Sequence, residues 1–284
     1  MKALFLGGDV RQKYACEYLI KNNIDAEYES LDHIDDVVKM KIKGADIIAL
    51  PIPFSRDEIN VNLSMQNKIR IYDLISLINR ESITFGGQFS KEVKDYFISH
   101  NITYIDYFDI EAFQIQNALL SAEGAIYYAK QKFQRCIYGS EIAILGFGRI
   151  GKILAYLLHL QGAKITVCAR KDSDFTWSRL IGFNGVKMKI SGNMSNLNLI
   201  DNKYDIIFNT IPSWIMDEEF AKRKNSNTII IDLASHPFGI DEKLVSKYNL
   251  VYYRETGIPG RYAPESAGEI IATTILNNIN NMEG

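Results

Sequence analysis

Cysteine is scarce in this chain. Its 284 residues include three, Cys16, Cys136 and Cys168, with no CxxC spacing and one necessarily unpaired. That pattern argues against a disulfide framework and against a thiolate metal cage, and it points to free thiols in a reducing cytoplasm. Histidine is nearly as rare, with His33, His100, His159 and His236. No metal-ligand spacing, phosphate-gripping P-loop or nucleophile elbow is present, so no metal is expected. The His-plus-Glu-plus-Arg constellation that a 2-hydroxy-acid dehydrogenase needs is also missing. Neither sign of charge is in surplus. The formal net charge of −2 argues against a nucleic-acid surface, and an anionic ligand would need local cations. No apolar run has the length of a membrane span, and Met1-Lys-Ala-Leu-Phe-Leu-Gly7 is too short for a signal h-region. A cytoplasmic protein is expected.

What remains is an ordinary globular composition, 47% hydrophobic and 23% charged, at a length that suggests two domains. Short apolar strands alternate with helix-periodic stretches along both halves. That alternation implies an α/β fold of two doubly wound parallel-sheet domains, the second a Rossmann dinucleotide-binding domain. The boundaries read as 1–112 plus 265–284 for the first, substrate-side domain and 136–264 for the second. A helical stretch over 113–135, interrupted only by Gly124, connects them. Strands are expected at 2–7, 26–28, 45–50, 83–85 and 103–105, then at 142–145, 163–169, 186–190, 204–208, 227–231 and 250–253.

The strongest signal is Glu141-Ile-Ala-Ile-Leu-Gly-Phe-Gly-Arg-Ile-Gly-Lys152. An apolar strand runs into Gly146-Phe147-Gly148-Arg149-Ile150-Gly151, and a helix pattern opens at once. Gly146 permits the tight turn, Gly148 lets the backbone approach a pyrophosphate, and Gly151 lets the helix pack closely. Free N–H groups at the helix start then favour phosphate. The next strand ends in Cys168-Ala169-Arg170-Lys171, two cations where an NAD site carries an acid. A guanidinium pairs with a 2′-phosphate and a carboxylate repels it, so NADP(H) is the expected cofactor. Asp172, just beyond, remains an alternative partner for an NAD ribose.

Other candidates sit where strands end, at the edge on which ligands of such sheets lie. Asn209-Thr210-Ile211-Pro212 offers an amide, a hydroxyl and an apolar wall to a nicotinamide ribose. Asp232 and Ser235 would orient the carboxamide, with Ala234 between them at the cofactor, or Asp232 caps its own loop. Arg11, after Gly7-Gly8-Asp9, reads either as a carboxylate anchor or as a solvated first-turn residue, with Asp9 as N-cap. Gly257-Ile-Pro259-Gly260-Arg261 reads as a sharp turn for carboxylate capture with Arg261 as clamp, or as a structural loop. Of the histidines only His236 is well placed for proton transfer. Asn117, Ser121 and Gly124 share one face of the connector helix.

Several of these blocks together resemble one family. They are Gly7-Gly8-Asp9-x-Arg11-Gln12, Asn117-Ala-Leu-Leu-Ser-Ala-Glu-Gly-Ala125, Leu145-Gly-Phe-Gly-Arg-Ile-Gly151, Phe208-Asn-Thr-Ile-Pro212, Asp232-Leu-Ala-Ser235 and Gly257-Ile-Pro-Gly260 with Ala267-Gly268. They look like the A subunit of dipicolinate synthase, along nearly the whole chain. The resemblance implies an NADP-dependent oxidoreductase that makes pyridine-2,6-dicarboxylate from a dihydro- or hydroxytetrahydro-dipicolinate of the lysine branch. It further implies a partner, the flavoprotein-like B subunit of dipicolinate synthase, and a setting in the mother cell of a sporulating bacterium. A planar dicarboxylate then matches Arg11 and Arg261, with Asn117 and Ser121 at the substrate or the nicotinamide edge and Glu123 or His236 handling a proton. The chain departs from the family at Leu120-Ser121, where Pro-Thr is expected, and at Glu265, where Lys is expected. Two rivals stay open: an NADP-binding regulatory or partner-dependent subunit, and a reductase or dehydrogenase of another small carboxylate. The number of chains, a homo-oligomer included, is also open.

Overall fold

The first strand, β1 (Lys2–Leu6), turns Ala3 and Phe5 to one side and Leu4 and Leu6 to the other, and all four are fully buried. A strand apolar on both faces belongs inside a parallel sheet covered on both sides. A computed structural model describes residues 1–63, 68–191, 194–195, 204–224 and 227–283. The chain divides into two compact units, Met1–Asn117 with Pro259–Gly284, and Ala118–Ile258.

In the first unit β1 is followed by α1 (Val10–Lys21), β2 (Asp25–Glu29), α2 (Asp36–Gly44), β3 (Ile47–Ala49) and α3 (Ile71–Ile75). Next come β4 (Ile83–Gly86), α4 (Lys91–Ser99), β5 (Tyr104–Asp106) and a short 3-10 turn, Tyr107–Asp109. The strands form one parallel sheet in the order β2-β1-β3-β4-β5, with Ala3 opposite both Ala26 and Ile47. Asp9, Asp35 and Ser90 cap α1, α2 and α4 through their side chains, each satisfying an N–H that the helix leaves unpaired. One face of the sheet packs Phe5, Ile47 and Phe85 with Ala15 and Leu19 of α1. The other packs Leu4, Leu6 and Ile48 with Val38, Ile42, Val93 and Phe97.

The long helix α5 (Glu111–Lys132) starts in the first unit, where Phe113 joins the Phe5 cluster, and ends in the second. There follow β6 (Glu141–Leu145), α6 (Arg149–Leu160), β7 (Lys164–Ala169), α7 (Asp172–Leu180) and β8 (Asn184–Lys187). Two-residue strands β9 (Ile190–Ser191) and β10 (Met194–Ser195) pair antiparallel. Then come β11 (Ile206–Asn209), α8 (Glu218–Arg223), β12 (Ile229–Asp232), α9 (Glu242–Lys247) and β13 (Val251–Arg254). The six-stranded sheet runs β13-β12-β11-β6-β7-β8, the Rossmann order with β6 at its centre. Both units are thus doubly wound α/β sheets joined through a long helix.

Two local expectations shift. The strand placed at 186–190 begins earlier, because β8 pairs Gly185 with Val167 and Lys187 with Ala169 before the edge is used up. The sharp turn expected at 257–260 is a helical turn instead, α10 (Ile258–Tyr262), entered through Gly257 at φ +64° with Pro259 in its first turn, where a missing N–H costs nothing. The last helix, α11 (Pro264–Glu283), adds Ile271, Ala272 and Ile275 to the core of the first unit.

Candidate functional site

In the second unit β6 lies between β7 and β11, where the strand order reverses and open α/β sheets bind ligands. Gly146 leaves β6 at φ +97°, and its N–H donates to Cys168 O at 2.9 Å. A Cβ there would collide with the Thr210 hydroxyl and stand 2.9 Å from Ile211 Cγ1. The Thr210 hydroxyl and N–H both donate to Leu145 O at 2.9 Å, so the segment after β11 lies directly against this turn. At Gly151 a Cβ would strike the Gly146 carbonyl, which is what sets α6 so close to the strand end. Gly148 differs: nothing lies within 4 Å of where its Cβ would be, and as N-cap of α6 it supplies no side-chain acceptor. Open space above uncapped N–H groups at the start of a helix of 12 residues fits a phosphate. Phe147 is buried, Arg149 exposed and Ile150 half-buried.

At the end of β7, Ala169 is buried while Arg170 and Lys171 are exposed. Among the described residues neither cation has a hydrogen-bond or ion-pair partner for its side chain. Asp172, the competing acid, is bonded to Lys187 Nζ at 2.5 Å from the neighbouring strand. The balance at this strand tip is therefore cationic.

The ends of β11 and β12 behave differently from expectation. Asp232 is fully buried and accepts four hydrogen bonds: from Asn209 Nδ2 (2.8 Å) and the Ala234 N–H (3.1 Å) on one oxygen, from the Gly239 N–H (2.7 Å) and Tyr252 hydroxyl (2.8 Å) on the other. Both oxygens are committed to the protein, so Asp232 is a loop-tying carboxylate and the carboxamide role is corrected. Asn209 is spent in the same way. Its amide also donates to Ile211 O and its carbonyl accepts the Ile211 N–H, both at 3.1 Å, folding the strand end over. Burial, then the neighbouring carboxylate, raise the Tyr252 phenol well above its ordinary pKa and keep it a donor. Pro212, Ser235 and His236 are exposed, and the His236 ring stands edge-on to Phe238 at 5.6 Å.

On α5, Ser121 is buried, Asn117 is half-buried and Glu123 is exposed. Two residues along a helix turn a side chain by about 200°, so Glu123 does not share the Asn117–Ser121 face.

In the first unit Arg11 is held rather than solvated. Its Nε donates to Asp9 Oδ1 at 2.8 Å, and Nη2 donates to Asp9 Oδ2 at 2.7 Å and Ile52 O at 2.5 Å. Gly260 lies against this pair, and Arg261 is exposed one residue on, in the same unit as Arg11.

Residues 2–108 match the family model for the N-terminal domain of the dipicolinate synthase A subunit. The A subunit of dipicolinate synthase from Bacillus subtilis (strain 168) is 26% identical over 97% of this chain and 94% of its own. Over almost its whole length the chain is thus similar to the dipicolinate synthase A subunit. The crystal structure of the Bacillus subtilis protein superposes with a TM-score of 0.82 at 24% identity, covering 100% of this chain and 97% of that one. Apo D-lactate dehydrogenase from Escherichia coli shares the fold more distantly, with a TM-score of 0.66 at 14% identity over 100% of this chain and 97% of its own. The chain thus shares its fold with both.

Sequence reasoning missed three participants. Tyr252 and the Gly239 N–H complete the Asp232 cluster, and Lys187 takes Asp172 out of play. Alternation in β13 marks Tyr252 as a strand residue, but nothing local to it signals a carboxylate partner. Lys187 carried a usable signal, since β8 must lie beside β7 in a Rossmann order.

Proposed function

We propose that this chain is the A subunit of a dipicolinate synthase, oxidising a dihydrodipicolinate, derived from 4-hydroxy-tetrahydrodipicolinate, to dipicolinate with NADP⁺. The observation that carries the cofactor half is the uncapped Gly148 turn beside two cations, Arg170 and Lys171, that have no partner among the described residues. The Gly146–Gly151 backbone would hold the pyrophosphate, and Arg170 with Lys171 the 2′-phosphate. Thr210 and Ile211, pressed against Gly146, would form the wall toward the ribose. When bound, the oxidised nicotinamide accepts a hydride. The whole-length likeness to the dipicolinate synthase A subunit supports the substrate half.

Arg11 and Arg261 are the proposed carboxylate anchors, with Asn117 and Ser121 as further polar contacts. Loss of a hydride and a proton makes the ring aromatic, which supplies driving force, so orientation matters more than a strong base. His236, open to solvent, is the proposed proton acceptor, because Glu123 points away from the Asn117–Ser121 face. The flavoprotein-like B subunit of the synthase and the cytoplasm of a sporulating mother cell complete the reading. No described helix is long and apolar enough to cross a membrane.

The test is nucleotide absorbance with the purified chain, NADP⁺ and freshly generated dihydrodipicolinate, with and without the flavoprotein-like partner and with NAD⁺ as control. NADPH should form faster than NADH. The double change Arg170→Ala with Lys171→Ala should cut that preference at least about tenfold, as expected for loss of charge-assisted phosphate contacts. Nucleotide binding without reduction under every condition would shift the reading to another small carboxylate.

A further inference from the structure

We propose that Asp9 is a positioning residue that, with the Ile52 carbonyl and the bare Cα of Gly260, locks the Arg11 guanidinium into a one-carboxylate receptor. The proposal rests on the reading of Arg11 as a substrate anchor given above. A guanidinium has five N–H donors. Three are engaged: Nε with Asp9 Oδ1 (2.8 Å), and Nη2 with Asp9 Oδ2 (2.7 Å) and Ile52 O (2.5 Å). The two donors on Nη1 have no partner among the described residues. The side chain as a whole is only 11% exposed, yet Nη1 is not sealed among the buried unpaired atoms. The open edge of Arg11 is therefore a single nitrogen, already aimed.

Three separate features of the chain produce that geometry. Asp9 caps α1 by accepting the Arg11 N–H at 3.1 Å, so the same carboxylate fixes both the backbone and the head group of Arg11. Ile52, just past β3, supplies the third contact from across the strand ends. Gly260 leaves room for the pair, because a Cβ there would stand 3.0 Å from Arg11 Nε and 3.1 Å from Asp9 Oδ2. The Asp9 charge also offsets that of Arg11. The receptor thus reads a carboxylate by directed hydrogen bonds on a pre-ordered side chain, without the ordering cost a free arginine incurs at binding.

The test uses the intact chain and dipicolinate as probe, with binding measured by calorimetry. Asp9→Ser keeps a side-chain acceptor for the helix cap but cannot hold the guanidinium. It should lower the melting temperature, because the mostly buried guanidinium loses its carboxylate, while leaving the chain folded at the assay temperature. The dissociation constant should rise about tenfold, the size expected for ordering one long side chain on binding. Asp9→Asn, which keeps one acceptor, should fall between. In an Arg11→Ala background Asp9→Ser should add nothing, and Gly260→Ala should weaken binding in wild type but not in that background. Wild-type affinity for Asp9→Ser, or independent additive losses for Asp9 and Arg11, would overturn the positioning role. Equal binding by Arg11→Ala and wild type would instead remove the anchor reading itself, and the proposal with it.

Discussion

Replacing Asp232 with alanine removes the acceptor shared by four donors inside the second unit: Asn209 Nδ2, the Ala234 and Gly239 N–H groups, and the Tyr252 hydroxyl, at 2.7–3.1 Å. A hydrogen bond to a charged group contributes roughly 1.5–3 kcal/mol net, but holding the carboxylate out of water costs several kcal/mol. The intact cluster is therefore worth far less than the sum of its bonds. Truncation is another matter, because it leaves neutral donors buried with no acceptor, at roughly 1–3 kcal/mol for each that stays dry, so a loss upwards of about 3 kcal/mol is expected. Asp232→Asn keeps the oxygen facing Asn209 and Ala234, and the Tyr252 hydroxyl can turn to accept. Only the Gly239 N–H then meets another donor, for roughly 1–3 kcal/mol. Urea unfolding of the nucleotide-free chain, followed by tryptophan emission, reads this directly. The two tryptophans, Trp177 and Trp214, both lie in the second unit, and Trp214 Nε1 donates to Pro237 O on the loop that Asp232 ties. With a slope of about 1–3 kcal/mol per molar urea, the alanine midpoint should fall by more than about 1 M, and the asparagine midpoint by less. A wild-type midpoint with weakened nucleotide binding would refute the argument and return Asp232 to the cofactor.

Thiol chemistry should separate the three cysteines. Burial pushes Cys16 up to about 11 and Cys168 to about 12, whereas Cys136 is exposed, so a disulfide reagent near neutral pH should modify one thiol in the native chain and three after unfolding. Rapid reaction of all three in the native state would contradict the burial. On the acid side, hydrogen bonds from Lys247 (2.6 Å) and the Tyr248 hydroxyl (2.5 Å) lower the Glu218 carboxyl from its ordinary 4.5 to about 2. A depressed folded pKa gives stability that is present above the ordinary value and lost as pH falls from about 4.5 toward about 2. Glu218→Gln should flatten the acid limb of a melting-temperature profile over that window, modestly, since the group is exposed. An unchanged limb would mean the pair adds nothing.

Both sheets were legible in the sequence because their signals are local. Ala143 and Leu145 face one way and Ile142 and Ile144 the other, and a strand buried on both sides is written in a handful of consecutive residues. The glycine turn is equally self-contained: the space at Gly148 and the crowding at Gly146 and Gly151 follow from one six-residue block. Local patterns of this kind are enough to dictate the parallel α/β class, the order of elements and the turn suited to phosphate. Which polar side chains at the strand ends remain available to a ligand is settled in three dimensions. Asp232 meets Asn209 across 23 residues and Tyr252 across 20, Asp172 meets Lys187 across 15, and Arg11 meets Ile52 across 41. Hydrophobic periodicity specifies which face a residue takes, but a hydrogen-bond partner is chosen by whichever strand end the sheet order brings alongside. Asp232 and Arg170 look alike as candidates in one dimension; only the neighbouring strands commit the first to the protein and leave the second open.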